Sequence, residues 1–180
     1  MIYNLCNLID ETNLDSFYKI LIVEASKLPA FDHLTPKNEV LGIINSLPES
    51  FQAMVVPFMR DKHSLSSSPK NNNGNTIWNH GISFPVVPQD EAIQDLLESF
   101  QNREVVAFMV RITHSHLYGT QLQPLLFSYD ELHSPNKLGL KGFTISLQGE
   151  TYGAPMYFAG SEAEFPVINR GLAFQLAGSL

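Results

Sequence analysis

His114 and His116 stand two residues apart in "THSHLYG". On an extended chain that spacing points both imidazoles to one face, a geometry that can begin a metal site. No third ligand is identifiable, so the pair reads as the solvated end of a hairpin, with a metal site as the alternative. Serine, histidine and aspartate all occur, but there is no G-x-S-x-G elbow, and Ser128 lies between aromatic residues in a strand pattern. The acid pairs Asp90 with Glu91 and Asp130 with Glu131 have the residue types for acid-base work. The first pair opens a helix, where carboxylates favour the macrodipole, and the second ends a strand. Gly139, Gly142, Gly149, Gly153 and Gly160 flank a strand and its turns and match neither a P-loop nor a dinucleotide fingerprint. Trp78, Tyr129, Tyr152 and Tyr157 could stack on a base or a sugar, but no basic groove surrounds them, which favours packing or an interface. No set of nucleophile, base and oxyanion donor converges, so no catalytic residue, metal or cofactor is expected.

The elements that carry these residues are bounded first by composition. A chain of 180 residues suits one domain, and 16% charged residues implies a surface that relies on Asn, Gln, Ser and Thr or is partly covered by partners. A net charge of −7 without a Lys/Arg stripe argues against sequence-specific or wrapping contacts with nucleic acid. The single cysteine, Cys6, excludes an intrachain disulfide and a thiolate-rich zinc site, and reads as a small buried hydrophobe. The segment "MIYNLCNLIDE" lacks a signal-peptide pattern, and no apolar run is long enough to span a membrane, so a soluble cytoplasmic product is expected.

Hydrophobic periodicity then predicts a mainly β chain (α+β). "YKILIVEA", "FQAMVVPFM", "TIWNHGISFPV", "REVVAFMVRI", "QPLLFSYD" and "GFTISLQGE" read as strands, with a bulge expected at Gly81 and an edge or bulge at Pro57. "KNEVLGIINSL" suits a brief helix with Val40, Leu41 and Ile44 on one side. Ile93, Leu96, Leu97 and Phe100 form an apolar stripe on a helix that Asp90 can cap, spanning about Asp90 to Asn102. "THSHLYGTQL" is expected to hold a hairpin turn. The architecture predicted is one domain over 1–180, an antiparallel β-sandwich or small barrel with one short covering helix.

Two segments fall outside that pattern. Residues 61–75, "DKHSLSSSPKNNNGN", are rich in Ser, Asn, Lys and Pro and predict a flexible loop, or an arm that orders on a partner. The tail over 161–180 alternates Leu172, Phe174 and Leu176, which suits a strand added either to the chain's own sheet or to another subunit's edge. Ser64, Asn72, Gly74, Leu172, Phe174 and Leu176 are the candidate interface residues.

The succession "GT" at 119–120, "PLLFSYD" at 124–130, "KGFTISLQGET" at 141–151 and "APMYFAG" at 154–160 resembles a group of virion proteins of Bacteroidetes phages and prophages, tail or head-tail connector components. "ISFPVVPQDEAIQDLLESFQNREVVAFMV" upstream is similar too, and the likeness covers about Asn75 to Gly160. The chain departs from the pattern at "THSHLYG", where an Asp/Asn-Gly turn is expected. The resemblance implies a non-enzymatic structural protein of the virion, assembled in the host cytoplasm. It further implies a homo-oligomeric ring or tube with neighbouring virion proteins as partners. A host β-sandwich module that binds carbohydrate or peptide is the competing reading.

Overall fold

The computed structural model describes residues 17, 19–46, 53–57, 63–72, 74–86, 91–111, 114–133, 141–159 and 174–175. In chain order the strands are β1 (Lys19–Glu24), β2 (Met54–Pro57), β3 (Ser64–Asn72), β4 (Asn75–Val86), β5 (Glu104–Val110), β6 (His114–Tyr118), β7 (Leu125–His133), β8 (Lys141–Thr151), β9 (Met156–Ala159) and β10 (Phe174–Gln175). Two helices, α1 (Lys37–Asn45) and α2 (Glu91–Phe100), accompany them. The mainly β, antiparallel fold expected from periodicity is therefore the one observed, with β10 on β2 as the one parallel pairing among the described strands.

The sheet runs β10-β2-β1-β5-β7-β8-β4-β3, and it forks at β5. One edge of β5 pairs with β1 along Val105 to Val110. The other edge is divided: Glu104 and Val105 pair with β7, while Ala107 to Val110 pair with β6, which in turn carries β9. The fork gives the sheet two limbs, and the limbs face each other across one cluster of apolar side chains. Ile20, Ile22, Val105, Ala107 and Met109 of the first limb meet Ile82, Phe84, Phe127, Ile145 and Leu147 of the second, with Ile93 and Leu97 of α2 packed on the same cluster.

β1 and β5 of the first limb are buried on both faces. Leu21, Val23, Val106, Phe108 and Val110 point away from the inner cluster into a second one, covered by Val40 and Ile44 of α1 and by Leu28 and Phe31. This is why β1 and β5 read as continuous apolar runs, whereas β4 alternates between buried and half-buried side chains. The outer face of the second limb is solvated by Ser66, Ser128, Asp130, Gln148 and Glu150.

Three expectations need correction. "THSHLYGTQL" contains the strand β6 rather than only a turn, because the segment alternates, Tyr118 packing into the inner cluster and Leu117 into the outer one while it pairs with β5. Gly81 is not a bulge: Ser66, Gly81 and Gln148 form one uninterrupted row, and a methyl at Gly81 would sit 2.8 Å from Ser66 Oγ. Residues 64–72 are a strand rather than a loop or arm, paired with β4 from Ser64↔Ser83 to Asn72↔Asn75. In the tail, the first of the two alternatives holds for the described residues, since Phe174 and Gln175 pair with Met54 and Val55 of the same chain. Cys6, Asp90, Leu172 and Leu176 lie outside the described residues.

Two glycines make opposite demands. A methyl at Gly149 would stand 2.8 Å from Leu125 Cδ2 and 2.9 Å from the Pro124 carbonyl oxygen, so backbone would have to move. Gly42, within α1, has open space around it. Gly149→Ala is expected to cost about 1–3 kcal/mol by overpacking, and Gly42→Ala to stabilise by roughly 0.5–1 kcal/mol through helix propensity. Urea denaturation of the two variants beside the parent measures both signs.

Candidate functional site

Polar side chains are rare on the inner walls, and those present gather in one row. On β6 the residues that point inward are His114, His116 and Tyr118, while Leu117 faces the outer cluster. The ring centroids of His114 and His116 are 5.2 Å apart. His116 is also 5.3 Å from Phe17, 6.3 Å from Tyr118 and 5.6 Å from Tyr157 on β9. Tyr118 reaches across to His80 of β4, edge to face at 5.6 Å, and so joins the two limbs.

His80 is 4% exposed and fully partnered. Its Nε2 lies 2.7 Å from Thr151 Oγ1 on β8, and its Nδ1 3.0 Å from Ser67 Oγ on β3. Thr151 Oγ1 donates its one proton to the Gly153 carbonyl at 2.6 Å. Thr151 must therefore accept from Nε2–H, which leaves Nδ1 bare to accept the Ser67 hydroxyl. Of the two neutral tautomers, only the one protonated at Nε2 satisfies the chain Ser67, His80, Thr151, Gly153. Burial, together with the neighbouring His33, pulls the His80 pKa from 6.5 down to about 4, against a small opposing effect of the Gly153 carbonyl.

A serine hydroxyl on an imidazole has the geometry of a nucleophile and its base. Here the orienting group is a hydroxyl rather than a carboxylate, and an imidazole held near 4 is a weak proton acceptor at neutral pH. The arrangement ties β3, β4 and β8 together. Periodicity could not reveal it, since its members are 13 and 71 residues apart and meet only through strand register.

The expectation of a solvated histidine pair is corrected: His114 is 8% exposed and His116 is half-buried. Among the described residues no group of three or more His, Cys, Asp or Glu side chains is arranged to hold a metal ion. Burial lowers the His116 pKa to about 4, with His114 and Arg111 adding to the effect. Arg111, whose guanidinium carbon sits 4.1 Å from the Phe17 ring centroid, places positive charge where a cation would have to bind.

The candidate interface residues among the described ones, Ser64, Asn72, Gly74 and Phe174, lie on the borders of the sheet. Ser64 begins β3 opposite Ser83, and Asn72 ends it opposite Asn75. Gly74 makes the connection at φ 87°, and its N–H donates to Asn71 Oδ1 at 3.1 Å. Phe174 sits in β10 opposite Met54. β3 is the last strand of its limb, and among the described strands β9 pairs only with β6.

No protein-family model matches the chain, and neither the curated proteins nor the solved structures contain a match to it.

The buried imidazoles fix the sign of a pH dependence. In the unfolded chain each titrates near 6.5, and in the folded chain His80 and His116 titrate near 4. Between those values the unfolded chain binds more protons, so stability falls as pH drops from about 6.5 and levels off below about 4. For His80, nearly inaccessible to solvent, that shift corresponds to roughly 3 kcal/mol. Urea midpoints measured from pH 7 to pH 4 are expected to fall, and His80→Asn is expected to flatten the slope.

Proposed function

We propose that the chain is a non-enzymatic structural protein of a bacteriophage virion, of tail or head-tail connector type, which joins its neighbours through the edges of its sheet. The observation that carries this reading is β3: nine residues paired on one side with β4, with the other side ending the sheet among the described strands. An open edge offers main-chain donors and acceptors to another chain, and a long one is normally blunted. Pro69 and Lys70 blunt β3 toward its turn, which leaves the stretch from Ser64 to Ser68, with Ser64, Ser66 and Ser68 exposed, as the accessible part. β9 supplies a second, shorter edge on the other limb.

The low charge content and the resemblance of residues 75–160 to phage connector and tail proteins support the same reading. A net charge of −7 suits a ring or tube that DNA traverses without adhering. The pairing of residues 64–72 with β4 changes how such an arm would act: β3 contributes as an ordered edge, without an ordering step on the partner.

A second reading, a binding module for carbohydrate or peptide, draws on Tyr152 and Tyr157, which are 71% and 46% exposed. Sedimentation velocity across a concentration series distinguishes the two. Association beyond the monomer is expected, and Ser64→Lys combined with Ser68→Lys should shift it to smaller species while changing stability by less than about 0.5 kcal/mol. A chain that stays monomeric throughout and is retained on a glycan or peptide array would overturn the assembly reading in favour of the second.

A further inference from the structure

Three of the large apolar side chains that the fold leaves in solvent stand on loops stitched to one another. Leu34 is 90% exposed, Tyr152 71% and Leu122 60%. The Leu122 N–H donates to the Phe31 carbonyl at 3.3 Å, and the Tyr152 N–H donates to Gln123 Oε1 at 3.1 Å. The loop that carries Leu34 is itself fixed: Asp32 Oδ1 accepts the N–H groups of Leu34 at 2.8 Å and Thr35 at 3.0 Å, and the Thr35 hydroxyl at 3.2 Å. An aliphatic side chain held so far into water by a rigid turn forfeits its hydrophobic gain unless something covers it.

Elsewhere on the molecule, a cleft of about 310 Å³ opens between α2, β2 and the end of β1. Its walls are apolar, from Met54, Leu96 and Phe100, and its mouth is basic. Glu24 lies 3.0 Å from both Lys27 and Arg103, each half-exposed, so one carboxylate faces two cations and a positive charge is left over. The cleft and the loop platform share no residue.

We infer that Leu34 of one copy enters the cleft of the next, with Asp32 facing Lys27 and Arg103, in a head-to-tail contact between copies of this chain. The two surfaces match in kind: an apolar knob beside a carboxylate, and an apolar hole beside surplus positive charge. Because knob and hole lie on different parts of one molecule, the contact is heterologous and propagates into a ring or a filament. The inference rests on the self-assembly reading above and adds to it a contact separate from the β3 edge.

The test uses the full chain carrying Ser64→Lys and Ser68→Lys, in which the strand edge is silenced, followed by mass photometry and sedimentation velocity. This background is expected to keep forming short oligomers. Leu34→Asp removes the knob and Ser99→Trp fills the hole. Each should raise the concentration needed for association about ten-fold or more, with unchanged thermal melting. Lys27→Glu is a second cleft variant of the same expected sign. Mixed in equal amounts, the Leu34→Asp and Ser99→Trp chains retain one intact hole and one intact knob, so dimers and nothing longer should appear. A background that is monomeric at every concentration, single variants that associate as before, or a mixture that stays monomeric would each overturn the knob-and-hole contact and leave edge assembly standing. A wild-type chain that never associates would overturn both.

Discussion

β5 has two edges and three partners. β1 occupies one edge in full, and the other is split between β7 at Glu104–Val105 and β6 at Ala107–Val110, with Val106 at the changeover. From that division follow the two limbs, the inner cluster between them and the burial of β1 and β5 on both faces. The chain must also leave the edge after β6 and return to it for β7 within a few residues. Gly119, at φ 75° and with its Cβ position 3.3 Å from the Leu125 nitrogen, is the residue that permits the exit. Gly149 permits the return, since any side chain there would occupy the space of Leu125 and the Pro124 carbonyl. Thr120 closes the excursion by exchanging hydrogen bonds with Gln123.

Where the limbs meet, the wall turns polar. A histidine at position 80 can satisfy hydroxyls on both of its neighbouring strands at once, through two ring nitrogens of opposite role, which no apolar side chain can do. The cost is burial that disfavours the charged ring. Tyr118 beside it follows the same logic: burial pushes its pKa up to about 12, so the phenol stays protonated against the imidazole face. The row from His80 through Tyr118 to His116 therefore acts as an uncharged polar seam inside an otherwise apolar sandwich.

The elements with one strong period were legible in the sequence. β1, β5 and β8 carry unbroken apolar or alternating runs, and α2 carries its stripe at Ile93, Leu96, Leu97 and Phe100. β3 was not legible, because an edge strand buries only part of one face and Leu65 is the single large apolar residue in it. A signal was nevertheless present in Asn73-Gly74, the dipeptide that favours a two-residue hairpin, between strand ends that face each other at Asn72 and Asn75. β6 was hidden for a different reason: its inward positions are filled by imidazoles, which hydropathy counts as polar although the fold buries them. His114 and His116 could be singled out by spacing, but their desolvation depends on Phe17, Tyr118 and Tyr157, which are close only after folding.

The central pairing of β1 with β5 joins residues 19–24 to residues 105–110. Some eighty residues of chain must emerge before the first strand meets this partner, whereas β3 with β4, and β7 with β8, close over short connections. Loop closure over such a separation costs entropy before any contact rewards it, which makes this step slow relative to local hairpins. Until β5 emerges, β1 can pair only with the four residues of β2 and keeps its other edge open, so during synthesis this strand, apolar on both faces, is the segment with most need of protection from association with other nascent chains.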